Sequence, residues 1–156
     1  MTNTLKDTLF TLRAATIADL EALSVLFNDY RIFYQFDNEP LKAKEFIEER
    51  LHKNDSSIIV AESRQQQLLG FCQLYYSHCS LICAPIATLY DLFVSTAFRK
   101  KGVAKSLLEK ARLIAQSNGA KRMDLFTART NTAAQALYEK AQWVRDEHFY
   151  AYNLSL

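Results

Sequence analysis

Apolar positions in this chain recur with two periods, one helical and one strand-like. Leu20, Leu23, Leu26 and Phe27 fall on one face at helical spacing. Just before them, Leu9, Phe10 and Leu12 read as a strand over 8–14. Thr16 and Asp19 stand at capping-box spacing, with Asp where Glu or Gln is preferred. Pro40 suits the first turn of a second helix, which reaches about His52 and is broken by Asn54-Asp55-Ser56. Ser57 to Glu62 is β-branched and strand-like, Arg64-Gln65-Gln66-Gln67 is a polar turn, and Leu68 to Ser77 is the hairpin partner. From about Ile86 to Val94 nearly every residue is apolar, which predicts a strand buried on both faces.

A clean amphipathic helix follows Gly102. It turns Val103, Leu107, Ala111 and Ile114 to the core and Lys105, Glu109, Lys110 and Arg112 to water. Asn118-Gly119 stops it. The pattern then predicts a strand over 121–127, a short helix over 131–141 and strand structure around 143–154. Two hairpin-linked strands followed by βαβ connections imply a mixed sheet with helices on both faces. No repeat, low-complexity segment or linker divides the 156 residues, so one domain over 1–156 is expected.

Bulk composition narrows the function classes. Apolar content of 49% and charged content of 23% are those of an ordinary globular chain. A net charge of +2 gives no argument for nucleic acid, and no apolar run is long enough for a bilayer. Met1 to Asp7 lacks the apolar core of a signal peptide, so a cytoplasmic location is expected. Cys72, Cys79 and Cys83 are an odd set of thiols, which argues against a disulfide framework. His78 beside Cys79 matches no zinc spacing, and no metal is expected.

Chemistry concentrates in the stretch that begins at Asp91-Leu92-Phe93-Val94 and runs through Ser95 to Phe98 into Arg99-Lys100-Lys101-Gly102-Val103-Ala104. A buried strand passes through a basic loop into a helix start. The first helical turn has free N–H groups and a partial positive charge, a ready site for phosphate. Gly102 lets a ligand approach the backbone, and Ala104 keeps the next turn small. The competing reading is a surface turn with solvated Lys and Arg.

The spacing Arg-x-x-Gly-x-Ala resembles the pyrophosphate motif of the GNAT family of N-acetyltransferases. Some thirty residues on, Asn131-x-x-Ala134-x-x-x-Tyr138 is similar to that family's second cofactor motif. The likeness is strongest over 88–154, and Leu12 to Leu20 is similar to the family's opening strand and helix start. It implies an α+β (mixed α/β) GNAT fold, with a twisted mixed sheet of six to seven strands flanked by about four helices. Strands 86–94 and 121–127 would splay. It implies acetyl-coenzyme A as co-substrate, its pyrophosphate on the amides of Lys100, Lys101, Gly102, Val103, Ala104 and Lys105 beside Arg99, its pantetheine along Leu92, Phe93 and Val94, and contacts from Asn131, Ala134 and Tyr138. It further implies Tyr138 as general acid to the coenzyme sulfur and the Val94 N–H as donor to the acyl oxygen.

Each residue also has a plainer reading. Tyr138 could be a core aromatic, and Asn131 a helix N-cap. Asp91, alone among apolar neighbours, could be the base, the anchor of a cationic substrate, or a structural acid in an ion pair or at a bulge. The family's acceptor wall corresponds to the segment holding Asp29, Tyr30, Tyr34, Phe36, Asp37 and Glu39, where acids and aromatic faces suit an ammonium.

The resulting expectation is acetyl transfer to a primary amine of a polyamine or similar small molecule, by direct attack in a ternary complex, with no nucleic-acid or membrane partner. Family habit adds a homodimer. The alternatives are a lysine or N-terminal protein acetyltransferase and a non-catalytic acyl-coenzyme A sensor. The chain departs from the family pattern at Ala141-Gln142-Trp143, where a Gly and then a Phe are common, so Gln142 implies a differently built turn or a strained residue.

Overall fold

The computed structural model describes residues 9–156. Thr8, the expected start of the first strand, and residues 1–7 lie outside the described residues. The elements are β1 (Phe10–Ala14), α1 (Leu20–Phe33), α2 (Pro40–Lys53), β2 (Ser56–Ser63), β3 (Leu68–Cys79), β4 (Ala84–Val94), α3 (Val103–Ser117), β5 (Arg122–Leu125) and α4 (Thr132–Lys140). Short 3-10 turns occupy Ile17–Asp19 and Thr96–Phe98. The chain divides into two compact units, one ending at Phe126 and the other running Thr127–Leu156. No described helix is long and apolar enough to cross a membrane.

The first unit holds a five-stranded sheet in the order β1-β2-β3-β4-β5. Hairpin neighbours pair antiparallel, and β4 pairs parallel with β5 because α3 carries the chain back across the sheet. Leu23, Phe27 and Ile47 of α1 and α2 share a core cluster with Val60, Phe71 and Phe93. Cys72, next to Phe71, turns the other way, and its Sγ donates to the Leu107 carbonyl of α3 at 3.8 Å. Both faces are therefore covered, and β3 is buried continuously from Leu68 to Leu74.

Local signals hold where the chemistry is local. The Thr16 N–H donates to Asp19 Oδ2 at 2.7 Å, so the capping box forms with Asp. Pro40 opens α2, and Asn54 ends it in the left-handed conformation. Gly119 does the same after α3, at φ 84°.

Five strands form among the described residues, fewer than the six to seven expected. The strand expected around 143–154 is absent. Asp146 Oδ1 accepts from the N–H groups of His148 and Phe149 at 2.8 and 3.0 Å, a local turn that takes the amides a strand would offer a neighbour. Val144, Tyr150 and Tyr152 are exposed there. The expected strand 121–127 is shortened to Arg122–Leu125.

Gly70 holds β3 and β4 together. A Cβ there would lie 2.5 Å from the Phe93 carbonyl oxygen and 3.1 Å from Val94 Cα. Gly70→Ala is therefore expected to cost about 1–3 kcal/mol as an overpacked contact, measured by urea denaturation. It is also expected to weaken cofactor binding, because β4 must give way just where its end leads into the basic loop.

Candidate active site

A bulge in β4 puts Asp91 in its place. Gln73 lies opposite Asp91, but the next residue, Leu74, lies opposite Leu89, leaving Tyr90 without a partner. Such a bulge re-aims the side chains beside it. Tyr90 turns out to solvent, its ring edge-on to Tyr75 at 5.6 Å, while Asp91 turns in and is 5% exposed. The expectation that 86–94 is buried on both faces thus holds at Ile86, Ala87, Leu89, Phe93 and Val94 and fails at Tyr90.

Among the described residues no cation pairs with the Asp91 carboxylate. Burial pushes its acid up to about 6, and a hydrogen bond from Tyr30 works in the opposite direction. The Tyr30 hydroxyl also reaches the Tyr90 carbonyl at 3.4 Å. The Tyr30 ring is set by aromatic neighbours: Phe71 at 6.1 Å, Phe93 at 6.2 Å and Tyr34 edge-on at 5.2 Å. Of the expected acceptor residues, Tyr30, Tyr34 and Asp91 therefore come together. Asp29 is exposed on another face of α1. Glu39 is spent on Arg31 at 2.6 Å and Lys42 at 3.3 Å, so it tethers the loop before α2.

Sequence reasoning passed over Gln73, which is fully buried opposite Asp91. Its Nε2 donates to Ser56 Oγ at 2.8 Å and Tyr75 Oη at 3.0 Å, and its Oε1 has no hydrogen-bond partner among the described residues. Burial and then Asp91 push the Tyr75 phenol up to about 12. The signal was a polar residue inside an apolar strand, the same one that marked Asp91.

β4 pairs with β5 only from Ile86 to Leu89 and continues through Tyr90–Val94 beyond that ladder. Its end leads into the basic loop. Lys100 and Gly102 take positive φ, 60° and 83°, and Gly102 caps α3 with open space where a Cβ would stand. The first intrahelical bond of α3 runs from the Ser106 N–H to the Gly102 carbonyl at 3.0 Å. No described backbone group accepts from the N–H groups of Lys100 to Lys105, so this row of donors fits a pyrophosphate.

Arg99 points elsewhere. Its Nε donates to the Val94 carbonyl at 3.0 Å, and its guanidinium lies 5.5 Å from the Phe33 ring centroid and 5.6 Å from that of Phe93. The Arg99 side chain therefore ties the end of α1 to the end of β4.

In the second unit, Asn131 caps α4, its Oδ1 accepting from the Ala134 N–H at 3.2 Å. Gln135 Nε2 donates to the carbonyls of Ala128 and Arg129, stiffening the approach to the helix. The helix ends in a Schellman motif: the Trp143 N–H donates to the Tyr138 carbonyl at 3.0 Å and the Gln142 N–H to the Glu139 carbonyl at 3.0 Å. The Trp143 ring packs against Tyr138, with centroids 6.1 Å apart.

The strand, basic loop and helix start lie within a longer stretch that matches a known family. The model of the acetyltransferase (GNAT) family matches residues 22–142. The chain belongs to this family. It is 37% identical over 145 residues to the uncharacterized N-acetyltransferase YhfO of Bacillus subtilis (strain 168), covering 93% of this chain and 97% of the relative. A crystal structure of a probable acetyltransferase is 35% identical, with a TM-score of 0.87, covering 94% of this chain and 97% of the other. AAC(6')-Iy, solved with the bisubstrate analog CoA-S-monomethyl-acetylneamine, shares the fold at a TM-score of 0.77 and 20% identity, covering 94% of this chain and 99% of the other.

GNAT enzymes are acetyltransferases that use acetyl-coenzyme A, and this chain is an acyltransferase of that family. Its departure at 141–143 from the common GNAT ending is built as a strained turn. Gln142 sits at φ 67°, where a Cβ is costly. Gln142→Gly is expected to raise stability by about 0.5–1 kcal/mol, the relief of that strain less the extra entropy of glycine, as read by thermal denaturation.

Proposed function

We propose that this GNAT acetyltransferase, acting as one domain over 1–156, acetylates a primary amine of a small cationic molecule by direct attack in a ternary complex. The carrying observation is the buried Asp91, which has no cation partner among the described residues and meets the Tyr30 hydroxyl under an aromatic cluster. A carboxylate so placed costs free energy unless a cation or proton arrives. An ammonium supplies both: it pairs with Asp91 as it binds and gives up a proton to it before attack.

Each element of this chain then has one task. Asp91 accepts the amine's proton, and Tyr30 and Tyr34 present ring faces to the cationic group. The amides from Lys100 to Lys105 hold the pyrophosphate, and the backbone of Leu92 to Val94 aligns the pantetheine. The Val94 N–H donates to the acyl oxygen where negative charge grows. Tyr138 gives a proton from Oη to the leaving sulfur, and Asn131 with Ala134 fixes the start of its helix. When bound, acetyl-coenzyme A supplies the activated acyl group. Cys72 takes no part: burial pushes its thiol far above the ordinary range, which suits a direct transfer.

Thiol release from acetyl-coenzyme A, measured against polyamines, other small amines and lysine peptides, tests this. Turnover is expected on polyamines or similar small amines. Turnover on peptides alone would favour a protein acetyltransferase. Thermal stabilisation by the cofactor with no turnover on any amine would favour a sensor.

A further inference from the structure

The tip of the β3–β4 hairpin carries two thiols that acetyl transfer does not use. Cys79 ends β3 half-buried, and Cys83 is exposed on the far side of the turn. Ser80 to Cys83 form a β-turn closed by the Cys83 N–H on the Ser80 carbonyl at 3.1 Å, and Cys79 faces Ala84 across the ladder. That pairing sets Cys83 next to the cross-strand partner of Cys79. Paired Cα atoms in such a ladder lie about 4.5–5.5 Å apart, the scale a disulfide spans.

Three donor groups lie near Cys79 Sγ. They are the backbone N–H groups of Ile82 and Leu81 and the guanidinium of Arg122 on β5. Arg122 is held in place by Asp124, at 2.9 and 3.0 Å. The donors favour the thiolate and move Cys79 below the ordinary thiol range, the opposite of buried Cys72. Low-pKa, accessible thiols beside a second cysteine are the ones that oxidise selectively.

We propose that Cys79 is a peroxide-reactive thiol and that Cys83 resolves its oxidised form into an intramolecular disulfide. The Cys79 thiolate attacks one oxygen of a hydroperoxide, the O–O bond breaks, and the leaving oxygen takes a proton to become water or an alcohol. Sulfur loses two electrons and the peroxide gains them, leaving a sulfenic acid on Cys79. Cys83 Sγ then attacks Cys79 Sγ, the S–O bond breaks, and water leaves with the Cys83 proton. The disulfide is reopened by a small dithiol.

The full chain is exposed briefly to hydrogen peroxide, alkylated and peptide-mapped. A Cys79–Cys83 link is expected within one chain. In Cys83→Ser a dimedone-type probe should capture Cys79, and in Cys79→Ser residue Cys83 should stay reduced. Without peroxide, iodoacetamide at neutral pH should modify Cys79 about threefold or more faster than Cys83, and Arg122→Gln should remove that advantage while the fold persists by circular dichroism. Equal rates at the two thiols would overturn the reactive role of Cys79. Links formed only between chains, or a wild-type protein that stops at the sulfenic acid, would overturn the resolving role of Cys83. None of these readouts depends on the acceptor amine.

Discussion

The Asp91→Asn variant is expected to be more stable than the wild type at pH 7 and far less active. Asp91 is 5% exposed, and burial lifts its acid from 3.8 to about 6 in the folded state. The sign follows from proton linkage. Below about pH 4 both folded and unfolded chains hold the proton, and Asp91 costs nothing. Between about pH 4 and 6 the unfolded chain releases its proton first, so stability falls as pH rises. Above about pH 6 the full cost remains, on the order of 3 kcal/mol for a shift of roughly two units. Asn carries no charge at any pH. Urea denaturation should therefore show a gain for Asp91→Asn at pH 7 that vanishes near pH 4. An equal effect at both values would mean that a neighbour already neutralises the carboxylate. The same substitution should cut kcat/KM by about 10²–10⁴ and abolish the acidic limb near pH 6, because it removes the proposed proton acceptor. A residue that lowers stability while serving catalysis is the ordinary cost of a working site.

Tyr138→Phe is expected to lower kcat by about 10²–10⁴ while leaving coenzyme affinity nearly unchanged. Phe keeps the ring that packs on Trp143 at 6.1 Å, and the backbone carbonyl that closes the Schellman motif is untouched. Only the hydroxyl is lost. Single-turnover thiol release together with calorimetric titration of coenzyme A separates the two effects. Unchanged turnover would remove Tyr138 as the proton donor and return it to a packing role. Trp143→Ala makes a useful companion, since it removes the ring's support and keeps the hydroxyl. It should give a smaller loss of kcat along with a lower melting temperature.

The reach of the sequence is clearest when residues are compared in pairs. Asp91 and Gln73 are both polar residues in apolar strands, yet only Asp91 stood out, because it lies beside a recognisable motif. Their registry, and the bulge at Tyr90 that sends Asp91 inward, exist only once β3 and β4 pair. Arg99 and Gly102 sit in one motif but behave differently. Gly102 takes the left-handed conformation its residue type suggests, while Arg99 turns back to the Val94 carbonyl and two aromatic rings from distant segments. Asn131 does as a cap what its position in the chain announces. The apolar pattern at 143–154 misled, because Asp146 captures nearby amides before a strand can form.

The sequence by itself determined the helices, the hairpin, the strand-to-helix basic loop and the family. These rest on periodicity, capping and turn chemistry, which act within a few residues along the chain. Only the tertiary structure decided that Asp91 has no cation partner among the described residues and meets Tyr30, that Glu39 is already paired with Arg31, and that Arg122 of β5 comes near Cys79. A side chain's charge state depends on which groups from remote segments approach it and on how much water they exclude. That environment is absent until the sheet has closed.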